Sequence, residues 1–128
     1  MPWNKPINSK WITEKVSDET ITWSHEFAKF LVSEQDTKPL TTSQLRKFFG
    51  KLKQIQSDFS KLKSEIPFLK PHLAYAVGRD AKQTKIKEFY AEIERGLNSV
   101  DQENKESFNR FVAIVESIVA YHKFEGGK

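Results

Sequence analysis

The chain has 128 residues, of which 38% are hydrophobic and 30% are charged, and these proportions are ordinary for one globular domain. It contains no cysteine, which excludes disulfides and thiolate metal sites and fits a reducing cytosol. No apolar run approaches the ~18 residues that a membrane helix needs, and the first residues, MPWNKPINSKW, lack the apolar segment of a signal peptide. We therefore expect a cytoplasmic protein that binds no membrane.

The positive charge is concentrated in the middle of the chain. The net charge is +4, but residues 38–95 contain thirteen Lys or Arg against six acidic residues. Residues 1–37 contain four against six, and residues 96–128 contain four against five. A localised basic block favours a polyanionic partner more than it serves general solubility.

The N-terminal part predicts an arm followed by a helix. Residues 1–16 include Trp3 and Trp11 but show little periodicity, so we expect an extended arm that docks through a tryptophan, with a disordered tail as the alternative. The sequence Ser17-Asp18-Glu19 predicts a helix start, because a serine caps well and acidic residues favour the first turn. This helix should run to about Glu34 and bury Ile21, Trp23, Phe27, Phe30 and Leu31.

A long amphipathic helix is predicted from Thr41 to Ile66. Its apolar residues recur mostly three or four positions apart and so share one helix face: Leu45, Phe48, Phe49, Leu52, Ile55, Phe59, Leu62 and Ile66. Thr41 and Gln44 have the spacing of a capping box, and Pro67 is expected to end the helix. Because Lys and Arg occupy the flanks, we expect a basic amphipathic helix at the centre of a bundle.

Shorter helices are predicted after it. A proline-bounded corner at 67–72 leads into a short helix over Leu73–Arg79, which Gly78 can end in a left-handed conformation. The next helix should run from about Ala81 to Gly96, with a core face of Ile86, Phe89, Tyr90, Ile93 and Leu97. The last should end near Lys123, with a core face of Phe108, Phe111, Val112, Val115, Ile118, Val119 and His122. The expected fold is all-α, a compact single-domain bundle of about five helices over residues 17–124, with a flexible tail at 125–128.

Motifs for catalysis and metal binding are missing from the sequence. The three histidines, His25, His72 and His122, form no i, i+4 pair, and there is no Walker A, GxGxxG or GxSxG motif. We therefore predict no enzyme activity, no metal site and no cofactor. A small ribonuclease that uses His72 beside Lys70 and Arg79 remains an alternative, but the sequence offers no second acid or base near it.

The basic residues carry a stronger functional hypothesis. We predict that a group of them contacts phosphates, namely Arg46, Lys47, Lys51, Lys53 and Arg79, and the alternative is a solvated face without a ligand. Gly50 lies among them, although a mid-helix glycine costs about 1 kcal/mol relative to alanine. Either helix packing, which we favour, or a phosphate would explain it. Tyr75 is a candidate for stacking on a base, unless its ring is buried.

Three segments together resemble a known family. They are Leu40–Phe49 (LTTSQLRKFF), Leu69–Arg79 (LKPHLAYAVGR) and Phe111–Lys123, which ends in AYHK before the glycines. In combination they are similar to the small subunit of type III-A CRISPR effector complexes, the Csm small-subunit family. The resemblance extends from about Leu40 to the C-terminus and leaves the N-terminal arm unmatched.

This resemblance implies a small helical bundle without catalytic activity that serves antiviral defence. Family members stack along the effector ribonucleoprotein beside its backbone subunits and large subunit, next to copies of themselves. There they line the path of guide RNA and target RNA, which they hold without sequence preference.

Carried over to this chain, the resemblance adds weight to Arg46, Lys47, Lys70 and Arg79 as RNA contacts. Lys51 and Lys53 depend on the charge argument, and Tyr75 on the stacking hypothesis. The alternative function is a helical protein–protein adaptor that does not bind RNA directly.

Overall fold

The computed structural model describes residues 3–128, which form an all-α bundle. The helices are α1 (Lys10–Thr13), α2 (Asp18–Val32), α3 (Thr42–Ser57), α4 (Phe59–Leu62), a 3-10 helix (Lys63–Phe68), α5 (Leu69–Gly78), α6 (Ile86–Asn98) and α7 (Lys105–Phe124). An isolated parallel bridge joins Lys38 to Thr84. The predicted all-α fold class is therefore confirmed. Among the described helices, none has the length and apolar character needed to span a bilayer.

The helix at the centre of the bundle is α7, and the expectation that the stretch Thr41–Ile66 occupies this place is wrong. α2 packs along α7, and α1 and α3 also contact it. α7 has 20 residues and is therefore about 30 Å long, which is enough for several partners. Its buried residues are Ser107, Phe108, Phe111, Val112, Ile114, Val115, Ile118 and His122. The core therefore forms around the C-terminal helix.

The stretch Thr41–Ile66 is divided rather than continuous. α3 ends at Ser57, whose hydroxyl donates a hydrogen bond to the carbonyl oxygen of Gln54 at 2.7 Å. Asp58 then leaves helical geometry, with φ −147° and ψ 64°. Ser and Asp side chains compete for nearby backbone groups and so favour helix ends. Pro67 lies inside the following 3-10 helix, so the expectation that it ends an α-helix is wrong.

The start of α3 agrees with the sequence. The N–H of Gln44 donates to the Thr41 hydroxyl at 3.1 Å, and the N–H of Thr41 donates to the Gln44 side-chain oxygen at 3.0 Å. These two bonds satisfy N–H groups that no helical carbonyl can reach. The predicted capping box is confirmed.

Other details differ from expectation. Ile21 is 43% exposed rather than buried. α5 begins at Leu69 and accepts Pro71 in its first turn, where a missing N–H costs little. Gly78 remains within α5, and the left-handed conformation falls on Gln83 instead, with φ 54°. α6 begins at Ile86 instead of Ala81, because residues 79–85 form a loop that contacts distant parts of the chain.

Lys85 ties this loop to the connection between α2 and α3. Its side chain is only 1% exposed, and its ammonium group donates to three carbonyl oxygens, those of Ser33 (2.8 Å), Gln35 (2.9 Å) and Thr37 (2.5 Å). Its backbone N–H donates to the carbonyl oxygen of Lys38 at 2.9 Å. Burial lowers the pKa of Lys85, and nearby carboxylates, Glu88 first among them, oppose this effect.

The N-terminal segment is fastened at several points. The Trp3 ring lies 5.1 Å from that of Phe27 between centroids, and α1 buries Trp11 and Ile12. The N–H of Ile7 donates to the buried carboxylate of Glu92 at 2.8 Å. The stretch expected to be an extended arm thus contains one helical turn. The expectation also covers Met1 and Pro2, which lie outside the described residues.

The C-terminal residues contact the bundle. The Glu125 carboxylate pairs with His25 at 2.6 Å, and the N–H of Thr42 donates to the carbonyl oxygen of Lys128 at 3.1 Å. Gly127 lies against the ring of buried His122, and a Cβ atom there would overlap that ring. The residues expected to form a flexible tail therefore pack against α2, α3 and α7.

Lys85→Met tests the ammonium contacts. We expect a loss of about 3 kcal/mol in the free energy of unfolding, because three buried carbonyl oxygens lose a charged donor. Denaturant unfolding measures this loss. Lys87→Met is the matched control, because Lys87 is an exposed lysine only two positions further along the chain and its loss should change stability by less than ~0.5 kcal/mol. Equal effects of the two changes would contradict this assignment.

Glu92→Gln tests the buried carboxyl group. Burial raises the pKa of Glu92 above its ordinary value of 4.5, although the N–H of Ile7 and the charge of Arg95 oppose this. The folded state therefore binds this proton more tightly than the unfolded state. The contribution of this proton to the free energy of unfolding is complete below pH 4.5, and it disappears as the pH rises through the folded-state pKa of Glu92. We expect the wild type to lose stability relative to Glu92→Gln above pH 4.5, as measured by urea unfolding. Parallel pH profiles would refute this expectation.

Candidate nucleic-acid interface

The exposed face of α3 is entirely basic or neutral, because the helix contains four cations and no acidic residue. Arg46 and Lys53 are seven positions apart and share one flank, whereas Lys47 and Lys51 share the other. Gly50 lies between the two flanks. The apolar residues Leu45, Phe48, Leu52 and Ile55 are buried, so packing against the bundle leaves these cations on the outside.

Two of the four cations have no partner within residues 3–128. Arg46 and Lys47 are exposed and make neither a hydrogen bond nor an ion pair in this range. Lys51 pairs with Glu65 at 2.7 Å, and Lys53 donates to the Gln56 side-chain oxygen at 2.9 Å. Arg46 and Lys47 are therefore the cations of α3 that an external anion can contact without competition.

A cleft of about 460 Å³ lies between α3, α5 and the loop that follows α5. It is lined by Ser43, Gln44, Lys47, Phe48, His72, Leu73, Tyr75, Ala76, Arg79, Asp80, Ala81, Lys82 and Ile86. Of the residues predicted to bind RNA, it brings together Lys47, Tyr75 and Arg79. Its volume falls within the range of ~300–1,000 Å³ that is usual for ligand sites. Three cations and one carboxylate line it, which favours an anion.

An exposed aromatic ring stands in this cleft. Tyr75 is 69% exposed, so the alternative of a buried tyrosine is wrong. Arg79 follows directly after α5, and its guanidinium carbon lies 5.7 Å from the centre of the Tyr75 ring. This contact places a positive charge beside a free aromatic face. Such a pair can stack on a base and contact a phosphate at the same time.

Hydrogen bonds fix one wall of the cleft. The hydroxyl of Thr84 lies 3.2 Å from the side-chain oxygen of Gln44 and 2.9 Å from the carboxylate of Asp80. The N–H of Thr84 also donates to Asp80 at 2.7 Å. The Gln44 side-chain oxygen also accepts a hydrogen bond from the backbone N–H of Thr41. Because an N–H group can only donate, this bond fixes which end of the Gln44 amide is the oxygen. The α5–α6 loop is thereby joined to the start of α3.

The remaining predicted residues lie outside the cleft. Lys51 and Lys53 are on α3 and have the partners given above. Lys70, at the start of α5, donates to the side-chain oxygen of Asn98 on α6. Arg46 lies on the flank of α3 away from the cleft lining. The structure thus divides the predicted group into a cleft set and an outer set.

Sequence reasoning missed Lys82 as a site residue. It lines the cleft together with Arg79, and it lies in the loop that the sequence was expected to fold as the start of a helix. The sequence shows that Lys82 and Lys85 belong to a stretch rich in charged residues. Which of the two is buried depends on contacts with residues 33–38, some 50 positions away.

His72 lines the cleft and is exposed. The single carboxylate among the described lining residues is Asp80, which already accepts two hydrogen bonds from Thr84. Across residues 3–128, no three His, Asp or Glu side chains come close enough together to hold a metal ion. The geometry around His72 therefore contains no ready acid–base pair.

Gly50 has open space around it. It is exposed, and a Cβ atom built there would meet no other atom of the described chain within 4 Å. Packing against another helix of this chain, which was the favoured explanation of the glycine, is therefore wrong.

Thr84→Val tests the cleft wall. We expect a loss of about 1–2 kcal/mol in stability, because the buried hydroxyl contacts of Gln44 and Asp80 disappear. Thr84→Ser keeps the hydroxyl and should retain most of the stability. Lys47→Ala and Arg79→Ala should change stability by less than ~0.5 kcal/mol, because both side chains are exposed. Denaturant unfolding of the four variants checks this order, and a larger loss for either cation would contradict it.

Comparisons with known proteins agree on one family. The family model described as Csm2 Type III-A matches residues 14–128, a range that includes α2 through α7 and every residue of the cleft. A relative from Streptococcus thermophilus, named CRISPR system Cms protein Csm2, is 31% identical over 94 residues, which cover 70% of this chain and 75% of the relative. No solved structure matches the chain. The chain belongs to the Csm2 Type III-A family and is a small subunit of a type III-A CRISPR Csm complex.

Proposed function

We propose that this protein is a non-catalytic subunit that lines and stabilises the path of guide RNA and target RNA, through sequence-independent contacts to the RNA backbone. It would act in the cytoplasm as part of antiviral defence. The observation that carries the proposal is the cleft between α3 and α5. There, Lys47, Arg79 and Lys82 line the same space as the exposed ring of Tyr75.

Backbone contacts are sufficient for such a subunit. In RNA-guided complexes, base pairing reads the sequence, and the protein needs only to recognise charge and shape. Each phosphate that a cation neutralises releases counterions, which supplies sequence-independent affinity. Within residues 3–128, Arg46 and Lys47 have no hydrogen-bond or ion-pair partner that RNA binding would have to displace.

The proposed RNA contacts are the seven residues predicted from the sequence together with Lys82, and they differ in what binding requires of them. Five of them project into solvent and are the primary contacts, namely Arg46, Lys47, Tyr75, Arg79 and Lys82. Lys51, Lys53 and Lys70 must first release Glu65, Gln56 and Asn98. The side chains of Lys51 and Glu65 are 34% and 38% exposed, and an ion pair at the surface is worth only about 0–1 kcal/mol, so exchange for a phosphate costs little. These three residues are therefore secondary contacts.

The absence of catalysis is part of the proposal. His72 is the one histidine among the described residues that line the cleft, and Asp80 is engaged by Thr84. General acid–base cleavage of RNA needs two correctly placed groups. The cleft is suited to holding RNA rather than cutting it.

The proposed partners include protein as well as RNA. We expect contacts with the backbone subunits, with the large subunit and with neighbouring copies of the same chain. Two exposed aromatic residues outside the cleft, Phe68 (68% exposed) and Phe124 (74% exposed), are available for such contacts. Neither residue lines the cleft, so protein contacts at these rings would leave the cleft open to RNA.

RNA binding at several salt concentrations tests this function. With four cations, Arg46, Lys47, Arg79 and Lys82, each neutralising one phosphate of single-stranded RNA, the logarithm of the affinity should fall against the logarithm of salt with a slope of about −3. Arg46→Ala/Lys47→Ala/Arg79→Ala should reduce the slope to about −1 and weaken binding more than tenfold. Fluorescence anisotropy with a labelled RNA measures both quantities.

A control with the same change in net charge is Lys10→Ala/Lys15→Ala/Lys29→Ala, whose residues are exposed and lie outside the cleft. It should retain the wild-type affinity and slope. If both triple variants bind RNA as the wild type does, the basic face is only solvated and an adaptor function is favoured. RNA that becomes shorter during the assay would instead favour the ribonuclease alternative.

A further inference from the structure

Gly50 occupies a position where glycine is unfavourable for the isolated protein. It is the ninth of sixteen residues in α3, it is exposed, and its backbone is helical, without a positive φ. A Cβ atom would meet nothing within 4 Å. Alanine would therefore fit there and would stabilise the helix. No requirement within residues 3–128 explains the glycine.

The surface around Gly50 is basic. On a helix, the neighbours of a residue are those three and four positions away, which here are Arg46, Lys47, Lys53 and Gln54. Three of these carry positive charge. Arg46 and Lys47 lie one turn before the glycine, and Lys53 lies one turn after it. At Gly50 the helix backbone is therefore exposed, without a side chain above it, and cations lie around it.

We propose that Gly50 is a contact point for the sugar–phosphate backbone of an RNA strand. The strand crosses α3 against the helix backbone at Gly50, and its phosphates are contacted by Arg46 and Lys47 on one side and by Lys53 on the other. This inference rests on the proposed function and names the place where the strand touches the protein most closely. A Cβ atom at this position would hold the strand away from α3 and lengthen its contacts with the surrounding cations.

Charge complementarity favours RNA over a second protein helix as the occupant. A helix that packs at a glycine would bring apolar side chains and require apolar neighbours. The large hydrophobic residues exposed in the described chain are Val16, Ile21, Phe68, Tyr75 and Phe124, and none of them lies on α3. The helix also has no acidic residue that could pair with a basic protein. A polyanion is the partner that this face fits.

Gly50→Ala tests the proposal because stability and binding should change in opposite directions. We expect the melting temperature to rise by about 3 °C, since alanine favours the helix. We also expect RNA affinity to fall about five- to tenfold, since one added carbon atom overfills a close contact. Gly50→Leu should weaken binding further while remaining folded. Calorimetry and fluorescence anisotropy with a labelled single-stranded RNA measure the two effects.

Gly78→Ala is the matched control. Gly78 is also a helical, exposed glycine with open space around it, and it does not line the cleft. This variant should gain less stability than Gly50→Ala, because Gly78 is the last residue of α5, and it should keep the wild-type RNA affinity. An equal loss of affinity in Gly50→Ala and Gly78→Ala would overturn the proposal, because the effect would then not depend on the basic face.

Arg46→Ala/Lys47→Ala separates this inference from the proposed function. If that variant loses RNA binding and Gly50→Ala does not, the contact point is overturned while the RNA-lining function remains supported. If both variants bind RNA as the wild type does, both proposals fail. If Gly50→Ala keeps RNA affinity but no longer assembles into the Csm complex, the occupant is a protein neighbour, and the RNA contact is again overturned.

Discussion

The buried ammonium group of Lys85 joins the loop before α6 to the connection between α2 and α3. A charge at 1% exposure is tolerable only if hydrogen bonds replace its hydration. The connection between α2 and α3 supplies them by turning three carbonyl oxygens, of Ser33, Gln35 and Thr37, toward a single point. The path of this connection is therefore determined by a residue some fifty positions later.

The cleft is a consequence of this arrangement. Since Lys85 holds the residues before α3 against the loop before α6, Gln44 in the first turn of α3 comes next to Thr84. The α5–α6 loop then forms one side of a cleft whose other side is α3. Lys47 and Arg79, which lie 32 positions apart in the sequence, line the same space as a result.

Buried polar groups also attach both ends of the chain to the bundle. Glu92 accepts the N–H of Ile7, and the His122 ring lies 2.7 Å from the carbonyl oxygen of Leu40. Each bond joins residues more than 80 positions apart. Unpaired polar groups in a core are costly, so these contacts favour one arrangement of the ends over alternatives that bury the same apolar area. They leave the basic face of α3 outside the packed region.

Several features were predictable because they depend on neighbours three or four residues away. The capping box of Thr41 and Gln44 is one, and the buried faces of α6 and α7 are others. The break at Asp58 was not predictable from the apolar pattern, because Ile55, Phe59 and Leu62 keep helical spacing across it. Whether Tyr75 is exposed or buried could not be decided from the sequence. α5 buries only Leu69 and Leu73, and which of its faces turns inward depends on its packing against α6.

The sequence by itself determines the all-α class, the basic character of α3 and the motifs that resemble the Csm small-subunit family, because each depends on composition or on short spacings. Only the tertiary structure decides that α7 is the central helix and that Lys85 is buried while Lys82 faces the cleft. It also decides that Arg46 and Lys47 are unpaired within residues 3–128 whereas Lys51 is not. The physical reason is that pairing and burial of a charge depend on which distant groups the fold brings within a few ångströms.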